Sequence, residues 1–288
     1  MQRKMWMTLC AAALLVLGAM LGAANVVSAA DAPPRMRNPG YIWRIDADDV
    51  RGLPRNFRTM EDEFHTPYKK DMDDSYVPTR EGLEHLHASG SGEFSASGLH
   101  SLLEALAEKT QMPICIVDLR EESHGFFDGT AVSWYGDRNW GNLNKTRDEV
   151  IRDENARIHA AKGRSLIVAA LDKDKMPIDP KPVRIDSAMT ERELVEGAGL
   201  HYVRFAVTDH TWAKPETIDA FVDFVKNTPS NSWMHFHCQA GKGRTTSFMV
   251  MYDMMKNPSV PLKDILHRQY LLGGAYLAYD PSVSVYSR

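Results

Sequence analysis

The ten residues His237–Thr246, HCQAGKGRTT, combine a cysteine, two glycines, an arginine and two threonines at close spacing. Trp233, Met234 and Phe236 precede them in a strand-like run, and Phe248 to Met255 follow as a helix-like run. A loop joining a strand to a helix N-terminus collects oxyanions, because its backbone N–H groups converge and the helix dipole adds partial positive charge. Gly241 and Gly243 permit backbone angles that a side chain would forbid. Arg244 supplies a planar fork for two oxygens of a phosphate. The same field would lower the pKa of Cys238 and make it a thiolate nucleophile. The chemistry implied is attack of sulfur on a bound phosphate. An ATP-type phosphate loop is excluded, because Lys242 is followed by Gly243 where serine or threonine is needed. A buried cysteine beside a tight turn would explain Cys238 alone, but not the set of residues around it.

Phosphoryl transfer from an alcohol also needs an acid to protonate the departing oxygen, best placed on a loop beside the nucleophile. VTDHTWAKPE offers Asp209 at the end of the run HYVRFAV. The competing role for Asp209 is to cap the helix that starts near Pro215.

The elements that must carry these groups are legible as periodicities. Leu99, Leu102, Leu103 and Leu106 recur at helical spacing, as do Ile218, Phe221, Val222 and Val225 after Pro215. MPICIVDLR, HYVRFAVTD and WMHFHC read as strands. Their alternation with helices predicts an α/β fold with a mainly parallel sheet flanked by helices. Between about 140 and 199 the pattern weakens: DEVIRDENARIHAAKG reads as helix, RSLIVAAL as strand and DKDKMPIDPKP as a polar turn. Thr190 and Glu193 then form a capping-box pair before a short helix. A small β-rich insertion near 160–200 is expected within a domain spanning 31–288.

HCQAGKGRTT resembles the His-Cys-x5-Arg-Thr signature of the protein tyrosine phosphatase superfamily. DLREESHGFFDGTAVSWYG and TDHTWAKPETID, taken with the signature and the helix after it, resemble the bacterial protein-tyrosine-phosphatase-like phytases, which are myo-inositol polyphosphate phosphatases. The likeness runs from LPRNFRT to LGGAY. It implies Cys238 as nucleophile, Arg244 and the loop residues Gln239, Ala240, Gly241, Lys242 and Gly243 as phosphate ligands, and Asp209 as general acid. Thr245 would stabilise the leaving thiolate, and His237 would hold the loop and help lower the cysteine pKa, the competing reading being a strand residue with a satisfied hydrogen bond. Arg58, His210, Lys242 and Asp118 would contact substrate. For Asp118, Arg120 and Glu121 a buried salt-bridge scaffold is the competing reading. The resemblance also implies a small partial β-barrel, to which the segment 164–186 would contribute. Lys173, Lys175 and Lys181 there reach toward substrate or form a solvated turn. The substrate implied is a small inositol phosphate, with no metal and no cofactor.

Composition narrows the field further. Arg3 and Lys4, the apolar run Met5 to Ala24 and the small residues Ser28, Ala29 and Ala30 read as a cleavable signal peptide over 1–30 rather than a retained anchor of near-transmembrane length, hence a secreted or periplasmic protein. No membrane association is expected once it is removed. Losing Arg3 and Lys4 and no acid takes the formal charge from −4 to −6, which argues against a nucleic-acid partner. Cys115 and Cys238 remain; Cys115 reads as a buried strand residue, with a disulfide between the two as the alternative. A phosphotyrosine phosphatase would need a substrate-clamping Lys-Asn-Arg-Tyr loop that this sequence lacks. A silent inositol-phosphate-binding module would not need to keep Cys238, Arg244 and Asp209 together, and a sulfur transferase would not need the acid.

Overall fold

The computed structural model describes residues 42–68, 71–73 and 75–278; the expected signal peptide lies outside them. The strands are β1 (Ile42–Ala47), β2 (Arg58–Thr59), β3 (Ala88–Ser91), β4 (Ile114–Arg120), β5 (His124–Phe127), β6 (Thr130–Tyr135), β7 (Ser165–Leu171), β8 (Pro177–Arg184), β9 (Ala188–Thr190), β10 (His201–Val207) and β11 (Trp233–His237). The helices are α1 (Ala96–Ala107), α2 (Arg147–Ala161), α3 (Glu191–Gly197), α4 (Pro215–Asn227), α5 (Gly243–Lys256) and α6 (Leu262–Leu271).

One sheet runs β10-β4-β11-β3-β2. Its first four strands are mutually parallel and β2 is antiparallel at the edge. β11 is central and buried along its whole length, as its apolar run requires. Alternation along β4 sends Val117 and Leu119 to one face and Ile116 to the other. Val117 and Leu119 meet Phe221 and Val225 of α4 and Phe248 and Met249 of α5. Ile116 meets Leu99, Leu102 and Leu106 of α1. The residues read as helix-face apolar are therefore those that close the two faces.

The register of this sheet places the chemistry. His237 lies level with Ser91 on β3 and Asp118 on β4, and Val207 with Arg120. The segments leaving β3, β4, β10 and β11 emerge at one carboxyl edge, where ligands gather in parallel sheets.

The second sheet runs β8-β7-β1-β6-β5-β9, with β1–β7 its parallel pair. It is broader than the expected insertion, because β1, β5 and β6 join it from outside 160–200. Among the described residues it is an open sheet ending in β8 and β9, and no closed barrel forms. DKDKMPIDPKP is also only partly a turn: Pro177 onward is β8. Pro177, Pro180 and Pro182 fit there because β8 is an edge strand, where a missing N–H can face outward. The Thr190–Glu193 capping box forms in both directions, and an unforeseen second box joins Thr146 and Glu149 at the start of α2.

Buried ion pairs tie the two sheets. Arg120 of β4 donates to Glu93 at 2.5 Å and to Asp46 of β1 at 2.8 Å, all with side chains out of solvent. Burial alone would push the Asp46 carboxyl up; Arg44 and Arg120 bring it down to about 2. Arg120→Met should therefore leave Glu93 without its close cation and Asp46 with Arg44 alone, and cost about 3–5 kcal/mol, the usual result of breaking a buried pair. Denaturant unfolding would measure it, and a loss below about 1 kcal/mol, the level of a surface pair, would deny these bridges their structural role.

Candidate active site

The loop after β11 is held by its carbonyls. Gln239 O accepts from Arg55 Nη2 at 3.0 Å and from the Glu93 N–H at 3.2 Å. Ala240 O accepts from Asn56 Nδ2 at 2.8 Å, and Gly241 O from Arg58 Nη1 at 2.8 Å. With three consecutive carbonyls pulled to one side, the alternating peptide dipoles are replaced by a concavity of N–H groups on the other. Gly241 turns the chain at φ +71°, and a Cβ there would fall 2.3 Å from the Gly92 nitrogen. Gly243 differs from expectation: it opens α5 and a Cβ there would meet nothing within 4 Å.

Cys238 Sγ lies at the base of this concavity and accepts from Thr245 Oγ1 at 3.1 Å. Burial pushes the thiol up. The Arg244 charge, the Thr245 hydroxyl and the Thr245 and Gly241 N–H groups outweigh it, so the thiol sits below the ordinary cysteine range. Arg244 is locked by Glu122, with Nη1 and Nη2 donating at 2.7 and 2.8 Å, while Nη1 also reaches Val207 O at 3.1 Å. A guanidinium has five N–H donors. Three are used by protein acceptors here, and the buried Nε has no hydrogen-bond acceptor. The remaining donors, Nε among them, are those available to an oxyanion.

Asp209 follows β10, as expected, and its Oδ1 lies 3.3 Å from Arg244 Nε. Oδ1 also accepts from the His210 N–H at 3.1 Å, while Oδ2 accepts from Asn139 Nδ2 at 2.6 Å. Trp140 Nε1 donates to the Asp209 carbonyl at 2.8 Å. Asp209 does not cap α4, whose N-cap is Lys214 with no side-chain bond. His210 is exposed beside it with φ 60°, its Nε2 3.7 Å from Asp209 Oδ2.

His237 is buried and pairs with Glu191, the first residue of α3, at 2.8 Å. Burial lowers its pKa, but Glu191, Glu93 and Asp118 bring it up to about 9, so it is a cation at neutral pH that anchors the end of β11. Two buried groupings, Glu93–His124–Glu191 and Asp118–Glu191–His237, come close enough to hold a metal ion. Both histidines sit among carboxylates that raise them above the ordinary imidazole range, Asp118 and Glu154 for His124 and Glu191, Glu93 and Asp118 for His237. The arrangement is an ion-pair network.

Several expected substrate contacts face elsewhere. Arg58 is buried behind the loop, bonded to Gly241 O, Asn56 O and Thr246 Oγ1. Lys242 turns back to donate to Gly273 O at 2.7 Å rather than pointing outward. Asp118 is fully buried, accepting from Tyr202 and paired with Arg204 at 3.1 Å. Arg120 is likewise scaffold, bound to Asp46 and Glu93. Glu121 accepts from Thr208 Oγ1 at 2.8 Å, its carboxyl pushed up to about 7 by burial and the nearby Glu122 charge. Lys173, Lys175 and Lys181 stand exposed on the β7–β8 hairpin of the second sheet. Cys115 lies level with Met234, four residues before Cys238. At about 3.3 Å per strand residue that is far beyond disulfide reach, and both thiols are free. Arg55, Asn56 and Glu122 lie inside the quoted stretches LPRNFRT and DLREESHGFFDGTAVSWYG without having been assigned a role there, and Asn139 lies outside both.

The profile of the PTP-like phytase family, described by the term inositol hexakisphosphate, matches residues 117–256. The tandemly repeated protein tyrosine phosphatase like phytase of Mitsuokella multacida is 57% identical, with a TM-score of 0.82 over 86% of this chain and 42% of that one. A PTP-like myo-inositol phosphatase from the same organism, in complex with myo-inositol-(1,3,4,5)-tetrakisphosphate, is 56% identical, with a TM-score of 0.82 over 87% of this chain and 43% of that one. A PTP-like phytase from Bdellovibrio bacteriovorus is 31% identical, with a TM-score of 0.62 over 84% of this chain and 78% of that one. The effector protein hopD2 of Pseudomonas syringae pv. tomato is 30% identical over 246 residues, 82% of this chain and 50% of that protein. This chain thus spans half of the Pseudomonas protein and under half of each Mitsuokella chain.

The two loop glycines make opposite predictions. Gly241→Ala drives a Cβ into the Gly92 backbone and should lower kcat/KM on any phosphate monoester by about 100-fold, the scale of a 1 Å misplacement. Gly243→Ala should stay within about threefold of the parent, since it fills open space at a helix start. Equal losses in both would mean that the loop does not depend on the turn at Gly241.

Proposed function

This chain belongs to the PTP-like phytase family, and from that premise we propose that it is a cysteine-dependent phosphatase acting on myo-inositol polyphosphates. The observation that carries the reading is the meeting of three groups at one sheet edge. They are a thiol lowered by Arg244, a loop with its carbonyls turned away, and a carboxyl 3.3 Å from that arginine. The solved relative with a bound inositol tetrakisphosphate supports the substrate class.

Each residue then has a step. The scissile phosphate enters the N–H concavity and takes the uncommitted donors of Arg244, displacing the Asp209 contact. Cys238 sulfur attacks phosphorus in line with the ester oxygen, a phosphorus–sulfur bond forms and the phosphorus–oxygen bond breaks. Asp209 gives its proton to the departing alkoxide, and the resulting carboxylate takes a proton from the water that attacks the phosphocysteine. The sulfur leaves as a thiolate, stabilised by the Thr245 hydroxyl at 3.1 Å. Glu122 fixes the plane of Arg244 throughout, so the cation meets the developing charge without reorganising. We also infer export, from the basic, apolar and small-residue succession over residues 1–30. N-terminal sequencing of the secreted or periplasmic protein should begin near residue 31; an intact Met1 would sink that inference.

Phosphate release from phytate and from a tyrosine phosphopeptide, measured side by side without added metal, tests the substrate class. Phytate should win by at least about tenfold in kcat/KM, roughly 1.4 kcal/mol of transition-state preference. A peptide preference would move the assignment to phosphoproteins. Cys238→Ser should abolish turnover of both, and retention of a tenth of kcat would end the phosphocysteine mechanism.

A further inference from the structure

The two oxygens of Asp209 are not equivalent. Oδ1 faces Arg244 Nε at 3.3 Å, the side on which phosphate binds, and otherwise accepts from the neighbouring His210 N–H at 3.1 Å. Oδ2 takes a short 2.6 Å bond from Asn139 Nδ2. An amide can turn end for end, and the turned form would set its oxygen against the carboxylate. Arg44 removes that freedom: its Nη1 donates to Asn139 Oδ1 at 2.6 Å, and a guanidinium has no acceptor to offer. The NH2 group must therefore face Asp209. Arg44 is in turn paired with Asp46 at 2.6 Å, and Asp46 with Arg120 at 2.8 Å, so the amide is fixed from the buried ion network. Asn139 is only 7% exposed, and its backbone sits at φ 64°, a left-handed turn that asparagine tolerates better than most residues.

A carboxylic acid carries its proton on one oxygen. Both oxygens face an N–H, but the 2.6 Å bond at Oδ2 is shorter than the 3.1 and 3.3 Å contacts at Oδ1, so an added O–H displaces less at Oδ1.

We propose that Asn139, locked by Arg44, is a positioning residue that caps Oδ2 of Asp209 and assigns the transferable proton to Oδ1, the oxygen facing the phosphate. Asn139 and Arg44 touch neither phosphorus nor sulfur in this arrangement; they act through Asp209. The inference rests on the reading of Asp209 as general acid, and the two can fail separately.

The test compares phytate, whose alkoxide leaving group needs protonation, with p-nitrophenyl phosphate, whose acidic phenol does not. Asn139→Asp keeps the size, the turn and an oxygen toward Arg44, but replaces the donor. It should lower kcat on phytate by at least about tenfold, part of the 10²–10⁴ that general acid catalysis supplies, and lower it on the aryl ester by under about threefold. Arg44→Leu should show the same split, and Arg44→Lys, which keeps a donor, should recover most of it; this pair carries the comparison if Asn139→Asp does not fold. In an Asp209→Asn background, Asn139→Asp should subtract almost nothing further on phytate, because residues acting through one group are not additive. Equal losses on both esters, or a full additional loss in that background, would overturn the inference. If Asp209→Asn itself shows no split, the general-acid reading has failed; if it does and Asn139→Asp does not, this inference alone has failed.

Discussion

Everything catalytic here depends on which way three peptide groups face. Arg55, Asn56 and Arg58 draw the carbonyls of Gln239, Ala240 and Gly241 to the outside of the loop. The N–H groups then have no choice but to gather on the inside, above the sulfur. No positively charged side chain could substitute for this arrangement. A lysine in the pocket would place one flexible charge there, whereas oriented amides supply several fixed partial charges that need no reorganisation when charge develops. The lowered thiol follows from the same geometry, because backbone N–H groups and Arg244 together outweigh the burial of Cys238.

The second constraint is charge balance in a dry interior. The carboxylates Asp46, Glu93, Asp118, Glu122, Glu154 and Glu191 face the cations Arg44, Arg120, Arg204, Arg244, His124 and His237. Ion pairs of this kind add little net stability over apolar packing, since desolvation offsets most of the attraction. Their value is directional. A guanidinium bonded to two carboxylates can point only one way, and that rigidity passes along the chain to Arg244 on one side and to Asn139 on the other.

Much of this was legible in the sequence, and for definite reasons. Cys238 and Asp209 sit on loops just past strongly periodic strands and Arg244 in the first turn of a helix, so β11, β10 and α5 placed them without further help. Arg55 and Asn56 were not legible: they touch the loop across 184 positions of chain, and a polar residue in a turn carries no periodic signal. Glu122 was hidden in the run Arg120-Glu121-Glu122-Ser123, where composition suggests a solvated turn although all four are buried. Arg58 shows the limit of residue type as a guide. A cation near a phosphate site suggests a ligand, but sequence does not say which face of the loop it lies behind. The strands β5 and β6 escaped notice because both faces of the second sheet mix polar and apolar residues, so neither period stands out.

The nucleophile and the acid leave the sheet at places with different freedom. β11 is hydrogen-bonded on both edges, between β4 and β3, whereas among the described residues β10 ends the sheet and pairs on one edge only. Opening β11 would break two ladders and the core on both faces, so its amides become open to exchange only in the largest unfolding events. The segment that carries Asp209 hangs from a strand with a single ladder, and its opening belongs to a smaller and cheaper class of fluctuation. The thiolate is thus set in the part of the molecule that moves last, and the proton donor in a part that can come and go within the native ensemble.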